Sequence, residues 1–166
     1  MGTGKENESQ RTTVQKKSER EVVVTRTFDA PARLVFEAWS KPELFKKWWV
    51  PRSMGMTLRS CELEVRTGGK YRLVFGDDPV NTVAFFGKYL EVVPNKRIVW
   101  TNEESGDAAA SITTVTLEER DGKTLLVMSE LYPTKEALDA AGTGAQEATY
   151  ETFGQLDELL AELSAR

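Results

Sequence analysis

The turns between residues 56 and 132 leave little choice of sheet topology. Six stretches of this segment alternate apolar and polar residues with a period of two, which is typical of β-strands. Short turn sequences rich in Gly, Pro, Asn and Asp separate them, and Asp121-Gly122 is the strongest hairpin signal. Because these connections are too short for parallel crossovers, the segment is predicted to form an antiparallel meander. The predicted strands are residues 57–64, 70–75, 83–93, 97–103, 111–118 and 124–132.

One more strand and two short helices are predicted before the meander. Residues 20–28 are rich in β-branched side chains, which favours a strand. Asp29 and Pro31 then indicate the start of a helix, with the carboxylate as N-cap and the proline in the first turn. Ser40 and Glu43 have the spacing of a capping box, which predicts a second helix that ends before the next proline.

Residues 143–163 are predicted to form one long helix, because apolar residues recur there at steps of three and four. Thr143 and Gln146 match a capping box at its start. The apolar face carries small residues such as Ala145 and Ala148 in its first half and leucines in its second half. Such a face leaves room at one end, so the helix is interpreted either as a cavity wall or as an ordinary core helix.

The predicted order is strand, two helices, six strands, a short helix at residues 135–141 that stops at Gly142, and the long helix. A twisted sheet of this size must cover its apolar face, and only the C-terminal helix is long enough to lie across it. We therefore predict an α+β protein in which a seven-stranded curved antiparallel sheet wraps around the long C-terminal helix. Residues 20–166 are predicted to form this single domain, and residues 1–19 are predicted to be a solvated polar tail.

Composition excludes several classes of function. The sequence contains no histidine, which removes Ser-His and Cys-His nucleophile pairs and His-ligated metal sites, so neither a metal nor a cofactor is predicted. A net charge of −4 provides no basic field for nucleic acid. No apolar run approaches the roughly 20 residues of a membrane span. With no secretory signal and a single cysteine, Cys61, we expect a cytoplasmic location.

Five sequence motifs occur in an order that resembles a known family. They are Trp48-Trp49-Val50-Pro51, CELEVRTGGKYR at 61–72, GKYLEV at 87–92, RIVWT at 97–101 and the helical segment 150–160. The resemblance is to the family homologous to the C-terminal domain of the activator of heat-shock protein 90 ATPase, within the helix-grip superfamily of START, polyketide-cyclase and birch-pollen-allergen domains. It spans residues 21–163 and implies a seven-stranded sheet gripping the last helix, with a hydrophobic cavity between them. It does not imply one function, because the superfamily includes lipid carriers, cyclases and co-chaperone modules.

Aromatic side chains are the candidate ligand-binding residues. Trp48 and Trp49 lie beside the predicted sheet opening, where an indole ring can contact an apolar ligand and its N–H can donate a hydrogen bond. Core packing is the alternative for each aromatic residue, and one of the two tryptophans is expected to be core. The other candidates are Tyr71, Phe75, Phe85, Tyr89, Trp100, Tyr150 and Phe153.

Four charged or reactive residues are considered beside them. Glu130 lies in an apolar run; facing inward, its pKa would be raised by desolvation, which would make it the best acid–base candidate. The default for Glu130 is an outward surface charge. Strand alternation favours an outward Arg72, and Arg59 is either outward or a contact for an acidic ligand. Cys61 has no sequence neighbour that would lower its thiol pKa.

Three functions are compatible with these features. The leading hypothesis is a protein that binds an apolar or aromatic small molecule between the sheet and the final helix. The second is a cyclase-type or hydrolase-type enzyme in which Glu130 or a tyrosine moves protons. The third is a module that binds a chaperone or regulator, which predicts an exposed apolar patch and a filled interior. The sequence is compatible with enzymatic and with non-enzymatic use of the cavity, and with a homodimer.

Overall fold

The computed structural model describes residues 12–76, 78–103 and 110–165. The strands are β1 Thr13–Lys16, β2 Glu21–Phe28, β3 Leu58–Leu63, β4 Lys70–Gly76, β5 Thr82–Val93, β6 Arg97–Asn102, β7 Ser111–Arg120 and β8 Lys123–Leu131. The α-helices are α1 Ala32–Ser40, α2 Pro42–Phe45, α3 Lys135–Ala141, α4 Gly144–Glu147 and α5 Thr149–Ser164, and a 3₁₀ turn covers Arg52–Met54.

All eight described strands belong to one antiparallel sheet with the order β1-β2-β8-β7-β6-β5-β4-β3. Strands β3 to β8 form the predicted meander, and β2 joins it beside β8. Helix α5 packs on α1 and β2, and its Phe153, Leu156 and Leu160 are buried in one core with the inner face of the sheet. The predicted α+β class and helix-grip fold are confirmed. None of the described helices is long and apolar enough to cross a membrane.

The sheet has eight strands where seven were predicted, because Thr13–Lys16 adds a strand at one edge. These residues were predicted to belong to the polar tail. Edge strands of a sheet offer unpaired N–H and C=O groups, and β1 satisfies those of β2. Val14 packs against the core, and Thr12 Oγ1 accepts a hydrogen bond from the buried side chain of Arg26. Residues 1–11 of the predicted tail lie outside the described residues.

Three predicted helix caps were wrong. The N-cap of α1 is Pro31 rather than Asp29, and no side chain caps it. Ser40 is the last residue of α1, where its hydroxyl donates to the Phe36 carbonyl instead of capping α2. In α4 the Thr143 side chain makes no cap bond with the backbone, and the Gln146 side chain points into the interior.

The predicted helices at residues 135–141 and 143–163 agree more closely with the structure. Thr134 Oγ1 accepts from the Ala137 N–H and caps α3, which stops before Gly142 at φ 71°, a conformation that favours glycine. The predicted single helix of residues 143–163 is divided at Ala148 into α4 and α5. Thr149 Oγ1 donates to the Gln146 carbonyl, and such back-bonding by threonine bends helices.

Candidate functional site

A cavity of about 390 Å³ lies between the sheet and the start of the C-terminal helices. Its walls come from the end of α1, the segment around α2 and the 3₁₀ turn, the inner face of β3 to β8, α4 and the first turn of α5. Met54, Met56 and Phe85 line it and are themselves exposed, so the cavity reaches the surface beside them. This volume falls in the range of small-molecule sites, roughly 300–1,000 Å³.

Most of the cavity wall is aromatic or aliphatic. The aromatic lining residues are Trp39, Phe45, Trp49, Tyr71, Phe75, Phe85, Tyr89 and Trp100. The aliphatic ones are Val50, Pro51, Met54, Met56, Leu63, Leu73, Ile98, Met128, Ala145 and Ala148. Trp49 stacks on Phe45 at 4.7 Å between ring centroids and meets Trp39 edge-on at 5.7 Å. These contacts fix the orientation of the indole ring that forms the outer part of the wall.

Six of the nine predicted ligand-binding residues line the cavity, and three do not. Trp48 is fully buried, and its Nε1 donates to the Ala38 carbonyl at 2.9 Å. Phe153 is also fully buried, edge-on to Phe28 at 5.6 Å. Tyr150 is half-buried and follows Thr149 on the helix, which turns its side chain about 100° away from the cavity wall.

Polar side chains from four elements meet in one part of the wall: Asn102 of β6, Thr113 of β7, Glu130 of β8 and Gln146 of α4. Glu130 faces this cavity, so the outward default was wrong. Its Oε1 accepts from Gln146 Nε2 at 2.6 Å, and its Oε2 accepts from the Ser111 hydroxyl at 2.9 Å. Both oxygens of the Glu130 carboxyl group therefore accept from side-chain donors.

Two buried polar atoms of residues that line the cavity have no hydrogen-bond partner among the described residues: Gln146 Oε1 and Trp39 Nε1. Gln146 is 1% exposed, and its amide nitrogen also donates to the Tyr132 hydroxyl, so the amide is fixed from its nitrogen side. A buried acceptor left without a donor costs about 1–3 kcal/mol. A bound molecule that supplied the missing partners would remove that cost.

A buried glutamine holds the rim of the cavity against α5. Gln155 Nε2 donates to the carbonyls of Trp48 and Val50, while its Oε1 accepts from the Arg52 N–H. These bonds satisfy backbone groups of the irregular segment that carries Trp49. Gln155 is therefore a positioning residue for the outer wall.

The 3₁₀ turn is tied to α5 by a second contact. Glu151 accepts from the backbone N–H of Ser53 at 2.9 Å and from its hydroxyl, and these bonds hold the pKa of Glu151 below its usual value. Protonation of Glu151 at low pH would weaken both bonds. We therefore expect this part of the rim to loosen in acid.

The other candidates have no part in the cavity. Arg72 and Arg59 are exposed on β4 and β3. Cys61 is half-buried, and burial raises the pKa of its thiol to about 11 against a smaller opposing effect of Lys46, which makes it a poor nucleophile at neutral pH.

Burial also raises the pKa of Tyr89, so the phenol of this lining residue stays protonated. The described residues contain no group of three or more His, Cys, Asp or Glu side chains arranged to hold a metal ion.

Sequence reasoning missed the role of Gln146, which was assigned to a cap. The signal that could have found it is helical spacing, because Gln146 lies three residues before Thr149 and seven before Phe153, on the face that is buried. Asn102 and Thr113 carried no comparable signal. Their place in the wall follows from strand register, in which Asn102 pairs with Ser111 and Thr113 pairs with Glu130.

Three solved structures illustrate the similarity of this chain to known proteins. A crystal structure from Rhodobacter sphaeroides is 27% identical with a TM-score of 0.80, covering 92% of this chain and 99% of that one. One from Chromobacterium violaceum is 28% identical with a TM-score of 0.70, covering 85% and 97%. One from Nitrosomonas europaea, at 24% identity, shares the fold with a TM-score of 0.75 and covers 91% and 100%. Among curated proteins, none matches this chain.

The sequence match to a family covers most of the fold described above. Residues 29–161 match the family described as Activator of Hsp90 ATPase homolog 1-like protein. The matched range begins just after β2 and runs through most of α5, so it includes every residue that lines the cavity. The chain therefore belongs to the Activator of Hsp90 ATPase homolog 1-like family.

Proposed function

We propose that this protein binds an apolar or aromatic small molecule in the cavity between the sheet and the C-terminal helices. The observation that carries the proposal is the wall itself, with eight aromatic side chains around about 390 Å³ and a small polar region at β6 to β8. Burial of apolar ligand surface against such a wall supplies the driving force, and the few polar groups fix orientation. The small residues Ala145 and Ala148 of the final helical segment provide the room.

Filling the cavity from α4 and α5 tests this function. Ala148 lines the cavity, and a tryptophan there would occupy the space of the ligand. We expect Ala148→Trp to weaken binding of the neutral dye N-phenyl-1-naphthylamine at least about tenfold, measured by fluorescence titration, because the lost apolar contact is worth about 1.4 kcal/mol or more.

Ala161→Trp is the matched control, since Ala161 is exposed on the same helical segment and does not line the cavity. It should bind the dye as the wild type does. Circular dichroism of both variants checks that the fold is kept. Equal dye affinity for Ala148→Trp and the wild type would refute the proposal.

The two alternative functions, an interaction module and an enzyme, differ in the observations that support them. A module that binds a chaperone or regulator predicts a filled interior, and a cavity of this size weighs against it, although Val83, Phe86 and Leu90 of β5 are exposed as it requires. Enzymatic use of the cavity is favoured by one observation, the inward carboxylate of Glu130. That alternative predicts that Glu130→Gln loses turnover of a substrate that still binds.

A further inference from the structure

We propose that the ligand of this cavity carries a hydroxyl or amine hydrogen-bond donor on its apolar body, and that ligands ending in a carboxylate are rejected. This inference rests on the proposed function and names the chemical class of its ligand. The juxtaposition behind it is the unpartnered Gln146 Oε1 beside the Glu130 carboxylate in the same wall.

The rejection of carboxylate ligands follows from the charges of the cavity wall. Among the described residues that line the cavity, Glu130 is the one carboxylate, and none is a lysine or arginine. Fatty acids and other carboxylates need a cationic or multiply donating partner when they leave water. Placing a second negative charge near Glu130 in an apolar cavity is therefore unfavourable.

The requirement for a hydrogen-bond donor on the ligand follows from the hydrogen bonds of the cavity wall. Gln146 Nε2 donates to Glu130 Oε1 at 2.6 Å and to the Tyr132 hydroxyl at 3.1 Å, which leaves the buried amide oxygen as the group without a partner. The opposite orientation of the amide would set two acceptors against each other at 2.6 Å, so the nitrogen belongs on the Glu130 side. An amide oxygen only accepts, and the group that completes it must donate.

The other open atom of the wall does not reverse this conclusion. Trp39 Nε1 is a buried donor without an acceptor among the described residues, and it can donate a hydrogen bond to an oxygen atom of a ligand. A single indole N–H offers one neutral hydrogen bond, whereas a desolvated carboxylate needs several. A hydroxyl group or an ether oxygen suits Trp39 equally, so this atom does not select for acids.

Three naphthalene compounds that differ in one group test the inference. They are naphthalen-2-ylmethanol, which donates, its methyl ether, which cannot, and 2-naphthoate, which is negatively charged. Each competes with N-phenyl-1-naphthylamine for the wild-type protein at pH 7.5, and the dye fluorescence gives the affinities. We expect the alcohol to bind about tenfold more tightly than the ether, and naphthoate to bind at least about tenfold more weakly than the alcohol.

Two variants assign the preferences to residues. Gln146→Met removes the open acceptor and should bring the alcohol and ether affinities within about threefold of each other. Glu130→Gln should shrink the disadvantage of naphthoate at least about fivefold. Glu147→Gln is the matched control for charge, because Glu147 is exposed on the same short helix and bonds to Thr143 outside the cavity. It should leave both ratios unchanged.

The outcomes separate this inference from the function on which it rests. Absence of dye binding to the wild type would refute the proposed function and this inference together. Dye binding with naphthoate as tight as the alcohol, or with ether as tight as the alcohol, would overturn the inference and leave the function standing. The wild-type ratios decide even if a variant fails to fold.

Discussion

Replacing Trp48 with alanine is expected to lower the free energy of unfolding by about 3–5 kcal/mol, the range for removing a fully buried large aromatic side chain. Trp48 has no exposed surface, and its ring contacts Trp39 at 4.8 Å and Phe45 at 5.5 Å between centroids. The substitution also deletes the hydrogen bond from its indole to the Ala38 carbonyl. Urea denaturation of the purified variant measures the loss.

The neighbouring Trp49 provides the contrast. It is only half-buried and lines the cavity, so Trp49→Ala should cost about 1–2 kcal/mol of stability while weakening dye binding about tenfold or more. Two adjacent identical residues are thus expected to separate into a stability role and a binding role. A large stability loss for Trp49→Ala with unchanged dye affinity would show that the assignment of these two residues is reversed.

The second large effect is expected at Gly87 of β5. A Cβ atom at this position would lie 2.0 Å from the backbone carbonyl oxygen of Thr101 on β6, which no side-chain rotation can relieve. We therefore expect Gly87→Ala to reduce the free energy of unfolding by at least about 3 kcal/mol, the upper end for overpacking. Thermal unfolding followed by circular dichroism provides the measurement.

Gly144→Ala is the matched control for backbone freedom. Gly144 begins α4 and has open space where its Cβ would be, so alanine should leave stability within about 1 kcal/mol of the wild type or raise it. If Gly87→Ala were as stable as Gly144→Ala, the close approach of β5 and β6 in this structure would be wrong.

The order of the six meander strands, β3 to β8, was predictable because it depends on local signals. The turns of the meander and the alternation of Tyr71, Leu73 and Phe75 indicate which residues face the interior, and all three are buried. Alternation breaks in β5, whose register against β6 shifts between Tyr89 and Glu91, and Leu90 at that shift is exposed.

The wrong predictions concern residues whose structure is determined by tertiary contacts and not by the neighbouring sequence. Strand β1 forms in a polar sequence because its backbone pairs with the otherwise unpaired edge of β2. The hydrophobic pattern of residues 13–16 does not indicate this pairing. Gln146 has the spacing of a capping residue, but Glu130 and Tyr132 offer it buried partners. In the sequence, Trp39 is only one member of an apolar helix face. In the structure it lines the cavity, because the end of α1 that carries it packs against the core there.

The most direct test of the account follows the four tryptophan indole N–H signals by ¹⁵N–¹H correlation NMR while N-phenyl-1-naphthylamine is added. Trp39, Trp49 and Trp100 line the cavity, whereas Trp48 points its N–H at the Ala38 carbonyl in the core. Single tryptophan-to-phenylalanine variants assign the signals. We predict saturable shifts for Trp39, Trp49 and Trp100, with Trp48 moving least. Dye binding that leaves those three signals in place, or that moves Trp48 most, would contradict a ligand site between the sheet and the C-terminal helices.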